Sequence, residues 1–360
     1  MEVTMKFVHM ADIHFDIIYH LLSKKDNLGD KRRLDQREAF NKIINYIKEN
    51  NIKYLFISGD LYEQKYVKQS TVEFINEKFK EIIDTKIFIT PGNHDPYLKN
   101  SYYNTFQWSN NVNIFNGEFK KISTEEADIY GVGFTDFINE GIQLSNFKVE
   151  NEKKINILVV HGNLDGSDKS TILYNPISSK SLKEKGFDYV ALGHVHKTNF
   201  KQGGKNNIIY SGSPISFGFD ELGEHGIIVG EVDKENLNLQ FIKMDSKEFV
   251  EYTIDITEIN SKEELVETLN NIVVPENNFY KIVLVGKRNF EINQYDIIKL
   301  INNDRILKLK DFTKLKYNLD EIAKEGSLKG YFVKNLLEKQ NMYDKTEWEK
   351  ALEIGLEILE

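Results

Sequence analysis

The chain alternates short, mostly apolar runs with longer amphipathic stretches. Lys6 to Met10, Tyr54 to Ile57 and Lys86 to Ile89 are short runs that predict buried strands. Between them, Asp35 to Asn50 places Phe40, Ile43, Ile44 and Ile47 on one stripe at helical spacing, and Ser70 to Ile83 is a second such stretch. Ser70, with Glu73 three residues on, predicts the N-cap of that second helix. This strand-helix-strand-helix-strand order implies parallel strands with helices on their faces. The same device returns at Asn156 to Val160 and at Tyr189 to Leu192. Ile208 to Tyr210 and Gly226 to Val232 then read as strands of a hairpin region joined by the polar segment from Gly218 to Gly226.

Near residue 247 the composition changes. Beyond it, strand Phe249 to Ile256, helix Lys262 to Ile272, strand Tyr280 to Val285, helix Gln294 to Ile301 and strand Ile306 to Leu309 suit a small appended α/β domain. Ser327 to Leu337 and Thr346 to Leu359 read as two terminal helices. Leu328, Tyr331, Phe332 and Leu336 share one stripe there, and Trp348, Leu352, Leu356 and Leu359 another. The expected division is residues 1–246, 247–320 and 321–360.

Composition narrows the chemistry. With 40% hydrophobic and 12% aromatic residues the chain is expected to fold as a packed globular protein. The absence of cysteine excludes disulfides, thiolate metal sites and a cysteine nucleophile. No apolar run follows the first residues as a signal peptide would, and none approaches the roughly 20 residues of a membrane span. A soluble, cytoplasmic protein is expected. The net charge of −9 argues against a broad basic footprint for nucleic acid. Two local clusters remain, Lys31-Arg32-Arg33 with Arg37, and Lys308, Lys310, Lys314 and Lys316. Each is either solvated surface or a phosphate-contacting patch.

The apolar runs matter most for the polar residues just past them. Five of the eight histidines fall in short polar blocks, each directly after a strand-like run: Asp12-Ile-His14, Gly59-Asp60, Gly92-Asn93-His94-Asp95, His161-Gly162-Asn163 and Gly193-His194-Val195-His196. Residues i and i+2 of an extended segment share a side, so Asp12 with His14 can bind one ion, and His194 with His196 can reach two adjacent ions. Any block alone reads equally as a polar loop. Together and in this order they supply the nitrogen and oxygen ligands of a two-metal hydrolytic site, delivered from strand ends into one crevice. His9, His20 and His225 are expected to be structural or surface residues. Asp16 is expected either to support His14 or to be a loop carboxylate.

The blocks resemble the calcineurin-like metallophosphoesterases, with their pattern D-x-H, GD, GNH[DE], H and GHxH, over roughly residues 5 to 232. Closer still is the likeness to SbcD-type DNA repair exonucleases. It rests on Phe7 to His14, Ser58 to Tyr62, Pro91 to Asp95, Ala191 to His196, Tyr210 to Pro214 and Gly218 to Gly226. The resemblance implies an αββα sandwich with a smaller α/β capping domain and C-terminal helices that bind an SbcC-like coiled-coil ATPase. It implies that Asp12, His14 and His196 hold one metal, that Asn93, His161 and His194 hold the other, and that Asp60 bridges them. His94 would act on the substrate and Asp95 would orient it, or Asp95 would instead cap a helix or make a turn bond. Nitrogen and oxygen ligands suit Mn, with Fe or Zn as alternatives. The partners implied are DNA and the ATPase, with a homodimer left open.

Two departures stand out. No arginine follows Asp60 as in the GDxVDRG protein phosphatases, and Glu63 and Gln64 stand where SbcD-type nucleases often carry a histidine. The expected activity is metal-dependent phosphodiester hydrolysis of DNA. The alternatives are a phosphodiesterase of small nucleotides, or a docking subunit for an ATPase with little activity alone. The terminal stripes read equally as packing surfaces for the chain's own domains.

Overall fold

The computed structural model describes residues 3–24, 27–138, 141, 149–166 and 174–359. The chain divides into two compact units, Met1–Val250 with Pro275–Phe279, and Glu251–Val274 with Tyr280–Glu360. No helix among the described residues is long and apolar enough to cross a membrane.

The first unit runs β1 (Met5–Met10), α1 (Leu28–Glu49), β2 (Tyr54–Ile57), α2 (Gln69–Lys80), β3 (Lys86–Ile89), α3 (Tyr102–Thr105) and β4 (Val112–Ile114). It continues through β5 (Lys120–Ser123), β6 (Ala127–Val132), β7 (Ile155–His161), β8 (Asn163–Leu164), β9 (Pro176–Ile177), α4 (Ser179–Lys183), β10 (Tyr189–Gly193), β11 (Ile208–Tyr210), β12 (Gly226–Val232) and β13 (Leu237–Lys243). One sheet has the order β13-β12-β1-β2-β3-β4 and the other β11-β10-β7-β6-β5. The sheets bury a common core. Phe7, Tyr54, Phe56 and Phe88 from the first meet Ile129, Ile157, Val159 and Tyr189 from the second. The opposite face of the second sheet buries Leu158, Val160, Val190 and Leu192 with Leu182 of α4, while α1 and α2 meet through Phe40, Phe74 and Phe79. The result is the αββα sandwich.

A polar bridge ties the two sheets behind the ligand-bearing edge. His9 on β1 lies 2.8 Å from the Tyr189 hydroxyl on β10 and 3.1 Å from Ser58 Oγ, which donates to the Ala191 carbonyl at 2.9 Å. Burial pushes the His9 imidazolium down to about 3, so the ring is neutral.

Local elements depart from the periodicity where polar side chains are buried. α1 begins at Leu28, seven residues ahead of the expected start at Asp35. Its early turns are held by Arg32, which is fully buried, pairs with Asp245 and donates to the Ser216 carbonyl at 2.8 Å. Arg33 pairs with Asp30, and Arg37 donates to Thr71 Oγ1 at 2.9 Å, so most of this basic cluster is internally committed. The N-cap of α2 is Lys68, not Ser70. Its backbone N–H donates to Asp16 at 3.0 Å, which accounts for that carboxylate. β11 and β12 do not form a hairpin. β11 runs parallel to β10 in one sheet and β12 antiparallel to β1 in the other, so residues 211–225 cross between sheets.

The second unit carries β14 (Phe249–Asp255), α5 (Lys262–Asn270), β15 (Phe279–Val285), β16 (Lys287–Arg288), α6 (Gln294–Leu300), β17 (Ile306–Asp311) and β18 (Lys314–Leu315), then α7 (Leu319–Ile322), α8 (Leu328–Glu338) and α9 (Lys345–Ile358). The first residues of β14 and β15 belong to the first unit. The sheet order is β14-β15-β17, with β15 parallel to β17. Leu265, Ile282, Leu284, Ile297 and Ile306 form its buried interior. Side-chain caps at Ser261, Ser327 and Asp344 start α5, α8 and α9.

Candidate metal centre

Four of the expected ligands sit on sharp backbone turns, while His161 is the last residue of β7. Asp12, His14 and Asp60 have φ of 54°, 50° and 53°, and His194 has 107°, a region L-residues enter at a cost of about 1–3 kcal/mol. Backbone bonds hold these turns: Asp12 N to Gly59 O at 3.1 Å, His14 N to Asp60 O at 2.9 Å, and Gln64 N to His94 O at 2.9 Å. Two glycines are required by close approach. A Cβ on Gly92 would lie 2.3 Å from Asp60 Oδ1, and one on Gly193 would lie 1.8 Å from the Ser58 carbonyl.

The turns bring the side chains of both sheets together. Asp12, His14 and His196 present ligand atoms within 4.8 Å of one another, and so do Asp12, Asp60 and His161. His14 Nε2 is 3.2 Å from His196 Nε2 and 3.6 Å from Asp60 Oδ2. Asp60 Oδ2 is 3.4 Å from His161 Nε2, which lies 2.9 Å from Asn93 Oδ1. The His194 ring centroid is 5.3 Å from that of His161. Asp60 therefore faces histidines of both proposed sets.

Electrostatics favour a cation here. Burial raises the Asp12 carboxyl to about 8 against the pull of His196. For Asp60 the desolvation is outweighed by His161, His14 and His94, which hold it below the usual carboxylate range. Burial holds His14 and His161 below the usual imidazole range, His161 at about 4. Two buried carboxylates converging with neutral imidazoles and an amide oxygen fit divalent ions, which would compensate the buried negative charge.

The outward nitrogens are also fixed. His14 Nδ1 lies 2.8 Å from Glu63 Oε1, His161 Nδ1 lies 2.8 Å from the Ser58 carbonyl, and His196 Nδ1 lies 3.1 Å from Glu221 Oε2. Each contact leaves Nε2 pointing inward.

His94 differs from these ligands. Its side chain is 46% exposed, against 2% for His14. It also lies within the group His14, Asp60, His94, so one of its ring nitrogens borders the cation sites. Burial alone would lower its imidazolium, but Asp60 and Glu63 raise it to about 9. Its ring partner is Glu63, with His94 Nδ1 at 3.1 Å from Oε2. Asp95, expected to orient His94, is committed elsewhere. Its carboxylate accepts from the Asp60, Leu61 and Gly92 amides at 3.0, 2.7 and 2.6 Å and from the Tyr103 hydroxyl at 2.6 Å. It shapes the two loops that carry Asp60 and Asn93.

Glu63, Glu221 and Ser58 are site residues to which the sequence blocks assign no role, although Ser58 and Glu221 lie within stretches that carry the family likeness. Glu63 was visible only as a departure after Asp60. Glu221 lies in an irregular crossing with no periodicity to mark it.

Known proteins are similar to this chain. The chain is 21% identical over 280 residues to the uncharacterized metallophosphoesterase YhaO of Bacillus subtilis, spanning 75% of this chain and 68% of that protein. It is 25% identical over 256 residues to the SbcD subunit of the nuclease SbcCD of Staphylococcus epidermidis, spanning 61% of this chain and 64% of that protein, less than two thirds of its length. Among solved structures, purple acid phosphatase PPD1 from yellow lupin aligns with a TM-score of 0.41 at 13% identity, over 68% of this chain and 52% of that one. Residues 5–198, more than half of the sequence, match the family described as calcineurin-like phosphoesterase, and the chain belongs to that family.

Proposed function

We propose that the chain is a dinuclear metal phosphodiesterase that acts on DNA. The observation that carries this reading is the convergence of Asp12, His14, Asp60, His161 and His196 from two sheets, with Asp60 facing histidines of both sets. Asp12, His14 and His196 would hold one ion, Asn93, His161 and His194 the other, and Asp60 both. Mn suits the donor set, with Fe or Zn as alternatives. Two such ions would neutralise a bound phosphoryl group and lower the pKa of the attacking water.

The chain's own residues supply the rest. The exposed His94 reaches the crevice, and Glu63 holds its Nδ1 so that Nε2 faces the substrate and donates a proton to the leaving oxygen. Asp95 keeps the Asp60 and Asn93 loops in register.

DNA as substrate, an SbcC-like ATPase as partner and a cytoplasmic location are supported by the sequence blocks and by the 25% identity to the SbcD subunit of the nuclease SbcCD. The test is a Mn²⁺ assay on end-labelled linear DNA beside bis-p-nitrophenyl phosphate and cyclic nucleotides. Degradation of linear DNA supports the reading. Efficient hydrolysis of a cyclic nucleotide with intact DNA replaces it with a small-nucleotide phosphodiesterase.

A further inference from the structure

Residues 211–225 supply none of the seven proposed ligands, yet they are bound to the first cation site at several points. Gly212, at φ 75°, brings the backbone against the His196 carbonyl, where a Cβ would lie 2.7 Å from the oxygen. The Ser213 amide donates to that carbonyl at 3.0 Å. Glu221 Oε2 lies 3.1 Å from His196 Nδ1. The Phe217 ring centroid is 5.2 Å from His196 and 5.4 Å from His14.

The segment is itself braced. Glu221 Oε1 accepts from the Phe217 amide at 2.8 Å. The Glu221 carbonyl lies 2.7 Å from His225 Nε2, and His225 Nδ1 lies 2.8 Å from Ser213 Oγ. Behind them, Asp245 accepts from the Ser216 amide at 2.9 Å and pairs with the buried Arg32.

His196 needs such support more than its neighbours do. Its side chain is 30% exposed, while Asp12 and His14 are at 0% and 2%. Burial fixes the other two, but packing alone does not select the ring orientation or tautomer of His196. A carboxylate on Nδ1–H selects both and makes Nε2 a better donor to a cation.

We propose that Glu221 is a positioning residue for cation binding: it holds His196 with Nε2 toward Asp12 and His14, and Ser213 and His225 hold Glu221 in place. The proposal rests on the reading of Asp12, His14 and His196 as cation ligands.

The experiment is Mn²⁺ titration of the full chain, by calorimetry and by electron paramagnetic resonance. It compares wild type with Glu221→Gln, Ser213→Ala and His14→Ala, with thermal unfolding in EDTA alongside. Glu221→Gln keeps the side-chain shape and removes the charge. It should weaken one of two Mn²⁺ sites by about 10- to 100-fold, leave the other, and unfold in EDTA near the wild-type temperature. The ring ¹⁵N spectrum of the metal-free protein should show the His196 Nδ1 resonance shifted. Ser213→Ala leaves the carboxylate in place without its brace and should weaken the same site less, which keeps the test open if the first variant folds poorly. Wild-type affinity in Glu221→Gln and Ser213→Ala, with an ion lost in His14→Ala, overturns the proposal alone. Wild-type affinity in all three overturns it together with the two-cation reading.

Discussion

The His194 amide donates to both carboxylate oxygens of Asp12, at 3.0 and 3.1 Å. Asp12 follows β1 in one sheet and His194 follows β10 in the other, so this contact joins the two sheets at the candidate metal centre. The carboxylate is fully buried, and burying its charge costs stability unless a cation compensates it. Asp12→Asn keeps an acceptor for the amide and removes the charge. It should unfold in EDTA at or above the wild-type temperature. Added Mn²⁺ should raise the unfolding temperature of wild type by mass action and raise that of the variant less, through the second site alone. An equal Mn²⁺ shift in both proteins removes Asp12 from the ligand set.

His94 is the proposed proton donor and belongs to one of the candidate cation-binding groups. His94→Ala should retain both Mn²⁺ ions by elemental analysis and lose about 10²-fold or more in turnover of bis-p-nitrophenyl phosphate. Loss of an ion instead makes His94 a ligand. Full activity sinks the proposed proton-donor role.

Much of this candidate centre is legible in sequence because its proposed ligands follow apolar strands. β2, β3 and β11 coincide with the apolar runs, and Asp12, Asp60, Asn93, His161 and His194 stand just past or at strand ends. What is not legible depends on contacts between distant segments. Nothing local marks Glu63 as the partner of both His14 and His94, because those contacts span 49 and 31 residues. Glu221 reaches His196 across 25 residues from an irregular crossing. The first turns of α1 escape periodicity because their buried face is Arg32 and Gln36 rather than an apolar stripe. Asp95 misleads for the same reason. Adjacent to His94 in sequence, it points its carboxylate at three amides and a tyrosine hydroxyl.

That assignment makes Asp95 a stability residue. Asp95→Ala leaves buried amide donors without an acceptor and should cost about 2–5 kcal/mol in urea unfolding, whereas Tyr103→Phe should cost about 1 kcal/mol. Wild-type stability of Asp95→Ala combined with lost turnover would return Asp95 to a role on His94.

The second basic cluster separates nucleic acid from a small substrate. Lys308, Lys310 and Lys316 are exposed, while Lys314 pairs with Glu353. If the substrate is DNA and these lysines meet its backbone, each should contribute about 0.9 to the slope of log affinity against log salt for duplex DNA. Replacing all three with alanine should lower that slope by about 3, with hydrolysis of bis-p-nitrophenyl phosphate unchanged. An unchanged slope excludes these lysines as phosphate contacts.

The last helices test the proposed ATPase partner. The expected stripe on α8 is divided in the fold. Phe332 and Leu336 are half-buried, and the Trp348 indole N–H of α9 donates to the Leu336 carbonyl at 2.8 Å, so this part joins the two helices. Leu328 and Tyr331 remain 73% and 64% exposed, with Ile358 of α9 at 76%. An amphipathic helix with bulky apolar residues left outward suits docking on another helix or a coiled coil. Leu328→Glu combined with Tyr331→Glu touches no buried contact and should change unfolding by no more than about 0.5 kcal/mol. The double variant should hydrolyse bis-p-nitrophenyl phosphate at the wild-type rate and fail to co-purify with an SbcC-type ATPase that binds wild type. Retained co-purification at full affinity moves the docking surface away from α8, and a large loss of stability shows that these side chains serve the fold itself.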